Sequence, residues 1–476
     1  MTDSSQPADD GVTRIERDSM GEMAVPANAL YGASTQRAVL NFPISGQPMP
    51  AGFIHALALV KRAAAETNAE LGLIDPALAA AIVAAADEVA AGRHDDAFPI
   101  DIYQTGSGTS TNMNANEVIA HLASARLGAA VHPNDHVNAG QSSNDVIPTA
   151  MQLAAAIAIQ ATLLPALERL HGSLVAKSGE FDSIVKTGRT HLQDATPIRL
   201  GQEFAGYAGQ VEAAIRRART ALDELLSVPL GGTAVGTGIN APADAAARTC
   251  ARLAVLTGLP VHETDSHFHA QATLDTVIAA HGALRSIALS LWKIASDVRL
   301  MGMGPRAGIG ELAVPETQPG SSIMPGKVNP VIVESLTMVV ARVVGNDATI
   351  GFSQTGSLLE LNVMMPVAAA ALLESIDLLG AASANFSARA IDGLKATRRG
   401  PELVEQGLML ATALAPVIGY DAAAKLAKEA LAGGRTIREL ALERGIPAAE
   451  LDVLLDPDRM TRPEAGGPAG GSSAGG

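Results

Sequence analysis

A single cysteine, Cys250, stands in 476 residues. No disulfide can form within the chain, and a thiolate-bound zinc or iron–sulfur centre would need more sulfur than is present. A reducing, cytoplasmic setting fits that scarcity. Basic residues are also few: 34 Lys and Arg stand against 49 Asp and Glu, a formal net charge of -15. Nucleic-acid binding needs the opposite balance, because Lys and Arg must displace counterions from phosphates. A small anionic substrate is compatible with it, since a few local donors can outweigh a distant acidic surface. Clean apolar runs of membrane length are missing as well. Ala150–Leu167 is interrupted by Gln152, Gln160 and Thr162, and Val363–Leu373 is closed by Asn362 and Glu374. Neither supplies the roughly 20 apolar residues of a span. The first residues, MTDSSQPADDGVTRIERD, are polar and acidic, so no secretory signal is expected there.

What the chain does contain is apolar mass: 47% apolar against 17% charged residues, enough for a large core. The length corresponds to two or three structural parts. Asp75-Pro76 opens a helix through Ala77–Ala91, and helical windows follow at about 149–178, 198–227, 241–257, 270–302, 329–351 and 363–395. Alanine is frequent and aromatics make up only 3%, a composition that favours helix and lets backbones approach closely. Helices this long point to a bundle whose remaining apolar faces are covered by partner chains. Near Pro401 a new helical pattern begins. It ends in Thr436–Leu455, read as two short helices with a turn at Gly445-Ile446-Pro447. The segment after Arg462 is expected to be a disordered tail.

Between the helices lie glycine-rich, hydroxyl-rich segments. Gly320-Ser321-Ser322-Ile323-Met324-Pro325-Gly326-Lys327-Val328-Asn329-Pro330 is bounded by helix breakers and can aim several N–H groups at one anion, with Lys327 and Asn329 as further donors. Thr105-Gly106-Ser107-Gly108-Thr109 leads into a helix N-terminus suited to a carboxylate or phosphate, although Ser and Thr there are commonly simple caps. Gly140-Gln141-Ser142-Ser143-Asn144-Asp145 is a third such segment. Gly188-Arg189-Thr190-His191-Leu192-Gln193 is a fourth, and His191 could exchange a proton near neutral pH. His132 and His136 have metal-ligand spacing only on a helix, and Pro133 and Asn134 argue for a turn. His262, His267 and His269, with Glu263 and Asp265, form a second apparent cluster. A strand through His267-Phe268-His269 would put both rings on one face, while a polar loop between helices accounts for them equally well. Four donor-rich segments between long helices suggest convergence, within or between subunits, on a small polyanion.

These residues identify a resemblance. GSSIMPGKVNP, with the other loops in matching order from Arg14 to Met460, resembles the class II fumarases of the fumarase/aspartase superfamily. GRTHLQDATP, the Pro315–Pro319 lead-in and Thr412–Tyr420 are similar to fumarase in particular. The resemblance implies a mainly α, three-domain fold with a long central helical bundle that forms a multi-helix tetramer core. The parts expected are an N-terminal domain at 14–144, a central bundle at 145–398 and a small helical domain at 399–462, with disordered tails at 1–13 and 463–476. It implies a D2 homotetramer whose sites draw on three subunits, with no cofactor, no metal, no nucleic acid and no membrane as partners.

By the same resemblance, the activity is the reversible hydration of fumarate to L-malate, a citric acid cycle step in the cytoplasm. Substrate contacts fall on Ser107, Gly108, Thr109, Ser142, Ser143, Asn144, Thr190, Ser322, Lys327, Val328 and Asn329. Ser321 is the base at C3, and His191 acts at C2, oriented by Glu334 of another subunit. His132, Pro133, Asn134 and Asp135 match a second, non-catalytic dicarboxylate site. The rival reading is an aspartate ammonia lyase, which uses the same serine loop with ammonia as leaving group. A helical scaffold without catalysis is the other rival.

Overall fold

The computed structural model describes residues 11–463. The expected tails at 1–13 and 463–476 lie outside this range except for residues 11–13 and 463, and Thr13 already belongs to a strand. Helices dominate, and the described strands pair only two at a time. The chain divides into two compact units. Among the described residues, one comprises 11–165, 215–288 and 339–381; the other comprises 166–214, 289–338 and 382–463.

The helical windows read from composition appear as Ser143–Ala158 continuing through Leu164–Glu180, then Leu200–Leu225, Ala245–Thr257, Asp275–Met301, Val331–Ser353 and Met365–Phe386. Three of these helical runs are long and apolar enough to cross a membrane by length and composition. Each nevertheless carries residues with no solvent exposure, among them Val146, Ile287 and Leu372, as helices surrounded by other protein do.

The first unit is built around the helix Ala51–Glu70, which packs on Pro76–Ala90, Ser143–Ala158 and Ala245–Thr257. Phe53, Leu57 and Val60 from it, with Ile82, Ala85 and Val89, are fully or almost fully buried. Asp75 caps the second helix by accepting from the Ala77 and Leu78 N–H groups, and Pro76 takes the first helical position, where its missing N–H costs nothing. The alanines bring these backbones close, so the few large side chains fill the space between them.

In the second unit, Val185–Thr190 pairs antiparallel with Gln193–Arg199. Phe181, Phe204 and Tyr207 stack edge to face, with centroids 5.2 and 5.4 Å apart. Residues 410–455 gather a small core from Leu410, Leu414, Leu426, Ile437, Leu451 and Leu455. Its two short helices, Ile437–Glu443 and Ala448–Leu454, flank Gly445 at φ +85, as the turn chemistry predicted.

Candidate active site

In the first unit, two helix N-termini carry expected substrate contacts. Gly108, at φ +72, precedes the helix Thr109–Leu127 and has no side chain to cap it; Gln104 Oε1 instead accepts from the Thr111 N–H at 3.0 Å. A Cβ on Gly108 would lie 2.8 Å from Ile147, and one on Gly106 would lie 1.8 Å from the Val363 carbonyl oxygen. Both glycines are thus fixed by close packing, which seats the N-terminus deep in the unit. The first N–H groups of the helix, ahead of Thr111, face the side where an anion would sit favourably. The Ser107 and Thr109 hydroxyls share a 2.8 Å hydrogen bond beside it.

Ser142, Ser143 and Asn144 form the second N-terminus. Ser142 Oγ accepts from the Asn144 N–H, and the Asp145 carboxylate accepts from the Ser142 N–H, a reciprocal cap. Asn112 Nδ2 donates to Ser143 Oγ at 3.0 Å, so these two segments, distant in sequence, do meet. Asn144 Nδ2 donates to the Ala234 carbonyl at 2.8 Å.

A buried polar layer supports this arrangement. Asp145 has no solvent exposure and also accepts from the Gly231 and Thr233 N–H groups at 3.1 and 3.0 Å. Lys61, equally buried, donates to Asn138 Oδ1 at 2.9 Å and Gln141 Oε1 at 3.0 Å. Burial disfavours both charges. It pulls the Lys61 ammonium down to about 7 against the attraction of Asp145. It raises the Asp145 carboxyl above its ordinary value against three N–H donors and Lys61. Lys61 and the segment Gly231–Ala234 are not among the residues the sequence singles out. Lys61 has no local motif around it. Gly231-Gly232-Thr233, however, shares the glycine–hydroxyl composition of the other loops, and that signal could have found it. Thr233 sits at φ +53, rare for a β-branched residue, held by Asp145 on one side and by Gln271, which donates to its carbonyl at 2.8 Å, on the other.

The histidine segments correct two expectations. Pro133–Val137 is one wide helical turn, not an open turn. His132 Nδ1 accepts from the Asp135 N–H at 3.0 Å and caps it, while His136 Nδ1 accepts from the His132 N–H. Those nitrogens are thus spent on the turn itself. His267 and His269 lie on a short helix, His267–Ala272, not a strand. His267 turns to Glu263 and the Leu230 carbonyl, His269 to Asp275, and His262 to the Pro260 carbonyl. Among the described residues no three such side chains group closely enough to hold a metal ion.

In the second unit, the polar segment around His191 is a β-hairpin instead of a loop. Thr190 pairs with Gln193, leaving His191 and Leu192 as its two-residue turn at φ +56 and +58. Such turns favour Asn-Gly because both positions need positive φ. Side chains that keep a Cβ there cost about 1–2 kcal/mol each, and the strain presents His191 at an exposed tip. Its imidazole makes no hydrogen bond among the described residues.

The serine loop closes on itself. Ser321 Oγ accepts from the Ile323 and Met324 N–H groups at 3.3 and 3.0 Å. Two N–H donors on one hydroxyl oxygen stabilise negative charge there, which eases loss of the hydroxyl proton and makes an alkoxide base accessible. Asn329 Nδ2 donates to the Gly320 carbonyl at 2.6 Å, and Gly326 turns at φ +77. Ser322, Lys327 and Val328 are exposed. Glu334 lies in the first turn of Val331–Ser353, also exposed. No ion pair joins it to His191 within one chain.

A family model described as lyase matches residues 21–345, more than half the chain, and one described as fumarase C C-terminus matches residues 410–462. The chain thus falls in a lyase class. A class II fumarate hydratase of Methylorubrum extorquens is 52% identical over 95% of this chain and 98% of its own. That of Mycobacterium tuberculosis is 52% identical over 96% and 98%. A class II fumarase structure from Schistosoma mansoni superposes with a TM-score of 0.92 at 39% identity, covering 94% of this chain and 99% of that one. The chain belongs to the class II fumarate hydratase family.

Proposed function

We propose that this chain catalyses the reversible, stereospecific hydration of fumarate to L-malate. In the dehydration direction the C3 proton passes to the Ser321 Oγ alkoxide, which becomes the hydroxyl, and the C–H electron pair enters the adjacent carboxylate, giving an aci-carboxylate dianion. The C2 hydroxyl then leaves as water, taking a proton delivered through His191. Lys327, Asn329 and backbone N–H groups would stabilise the doubly charged carboxylate, an electrostatic task worth several kcal/mol. The helix start at Thr109 and the hydroxyl and amide side chains of Ser142, Ser143 and Asn144 suit the carboxylates of such a substrate. The observation that carries this reading is the Ser321 oxygen held by two backbone N–H groups in a loop that also bears Lys327 and Asn329.

His191, on an exposed hairpin tip, and Glu334, on an exposed helix start, are consistent with sites completed across a homotetramer in which Glu334 of another subunit orients His191. A cytoplasmic role in the citric acid cycle accords with this activity. His132, Pro133, Asn134 and Asp135 are proposed as a secondary dicarboxylate site.

Following fumarate absorbance with malate as substrate tests the activity. Ser321→Ala should keep its fold and lose turnover by a thousandfold or more; a rate near wild type would reassign the base. Formation of aspartate from fumarate and ammonium would support an ammonia lyase instead.

A further inference from the structure

The His191 hairpin is held from below by a buried ion-pair cluster. Lys186 and Arg189 lie three residues apart on the strand Val185–Thr190, and in a regular strand they would face opposite sides. The register slips between Thr187 and Arg189. At Gly188, between them, a Cβ would lie 2.6 Å from the Thr196 carbonyl oxygen. This bulge turns both cations onto one carboxylate, as bulges re-aim side chains near functional sites.

That carboxylate is Glu311, 2% exposed. Arg189 Nη1 donates to its Oε1 at 2.8 Å. Lys186 Nζ stands 3.1 Å from its Oε2, an ion-pair distance without hydrogen-bond geometry, and donates to Glu203 at 3.0 Å. Gly400 seals the cluster: a Cβ there would lie 3.3 Å from the Lys186 Cβ, a tight approach, and touch the Glu311 side chain at 3.8 Å. The Glu311 backbone is fixed too: its carbonyl accepts from the Thr397 N–H, and Leu312–Ala313 pairs with Lys395–Ala396. Two residues beyond that pair begins the Pro315–Asn329 segment carrying Ser321. One side chain therefore ties down both the hairpin that ends in Thr190–His191 and the strand that launches the serine loop.

We infer that Glu311 is a positioning residue for the hydration reaction, acting through Arg189 and Lys186 to fix where His191 stands. This rests on the reading of His191 as the group acting at C2. A displacement of about 1 Å in a reacting group can cost on the order of a hundredfold in rate.

The test is a double-mutant cycle in the full-length protein. Glu311→Gln should lower kcat for malate dehydration about 10- to 100-fold with KM changed less than about threefold, and in a His191→Asn background it should lower kcat no further. A full additional loss in that background, or a wild-type kcat in Glu311→Gln beside an inactive His191→Asn, would overturn the inference alone. Full turnover in His191→Asn would overturn it together with the reading it rests on. Arg189→Lys, which keeps the charge and loses the planar fork, covers the case in which Glu311→Gln does not fold. It should show a several-fold loss of kcat that likewise vanishes beside His191→Asn, and an additive loss would count against the inference.

Discussion

Asn329 donates its side-chain N–H to the carbonyl of Gly320 at 2.6 Å, so the two ends of the serine loop are fastened to each other. Gly320 makes that closure possible: a Cβ there would lie 1.9 Å from the Lys327 carbonyl oxygen. Gly320→Ala must therefore open the loop. Because the loop is exposed and outside the core, the expected result is an unchanged melting temperature with kcat reduced at least about a hundredfold. Unchanged kcat in a folded Gly320→Ala enzyme would show that the closed loop is irrelevant to turnover.

Asp145 gathers three N–H groups from two segments, Ser142 on one side and Gly231 and Thr233 on the other. Asp145→Ala strands those donors in a buried site, at about 1–3 kcal/mol for each one left unmatched. Thr233 would also lose its restraint at positive φ, and Asn144, which bonds to Ala234, would shift with it. The expected outcome is a melting temperature lowered by several degrees and KM for malate raised about tenfold or more. Steady-state kinetics and calorimetry on the same preparation check both.

Lys61 gives stability a distinctive pH dependence. Its folded pKa, lowered by burial to about 7 from an ordinary 10.5, means that the unfolded chain binds the proton more tightly. Between these values unfolding takes up a proton, so this residue's contribution becomes more favourable as pH rises from 7 towards 10 and is least favourable below 7. Wild type should gain several kcal/mol relative to Lys61→Met across that range. Denaturant midpoints of the two proteins at pH 6 and pH 9 measure the difference, and parallel curves would contradict it.

His281 should act at the acid end. Wholly buried, it bonds through Nδ1 to Asp347 at 3.0 Å and through Nε2 to Ser375 at 2.9 Å, with Arg285 paired to the same aspartate. Burial lowers its pKa, with Asp347 opposing. Below about 6.5 the unfolded chain takes up a proton that folded His281 resists, so stability falls as pH drops. His281→Gln should lose less stability than wild type between pH 7 and pH 5, as read from melting temperatures across that range.

The sequence by itself determined the long helices after Thr149 and most of the chemistry-bearing loops, while the helix Ala51–Glu70 at the centre of the first unit carried no boundary signal of its own. Alanine-rich, weakly aromatic windows have one favourable conformation, and Asp75-Pro76 and Gly445 mark boundaries through local backbone physics alone. Ser321, Lys327 and Asn329 were legible because glycine and proline around them dictate a loop whatever it packs against. What depended on distant neighbours was not legible. His191-Leu192 carries no Asn-Gly turn signal, and the hairpin forms because a bulge at Gly188 and the buried Glu311 hold its base. Lys61 looks like any helical lysine until the fold places Asn138, Gln141 and Asp145 around it. Only the tertiary structure could decide these, because the energy of a buried charge is set by its surroundings and those come from far along the chain.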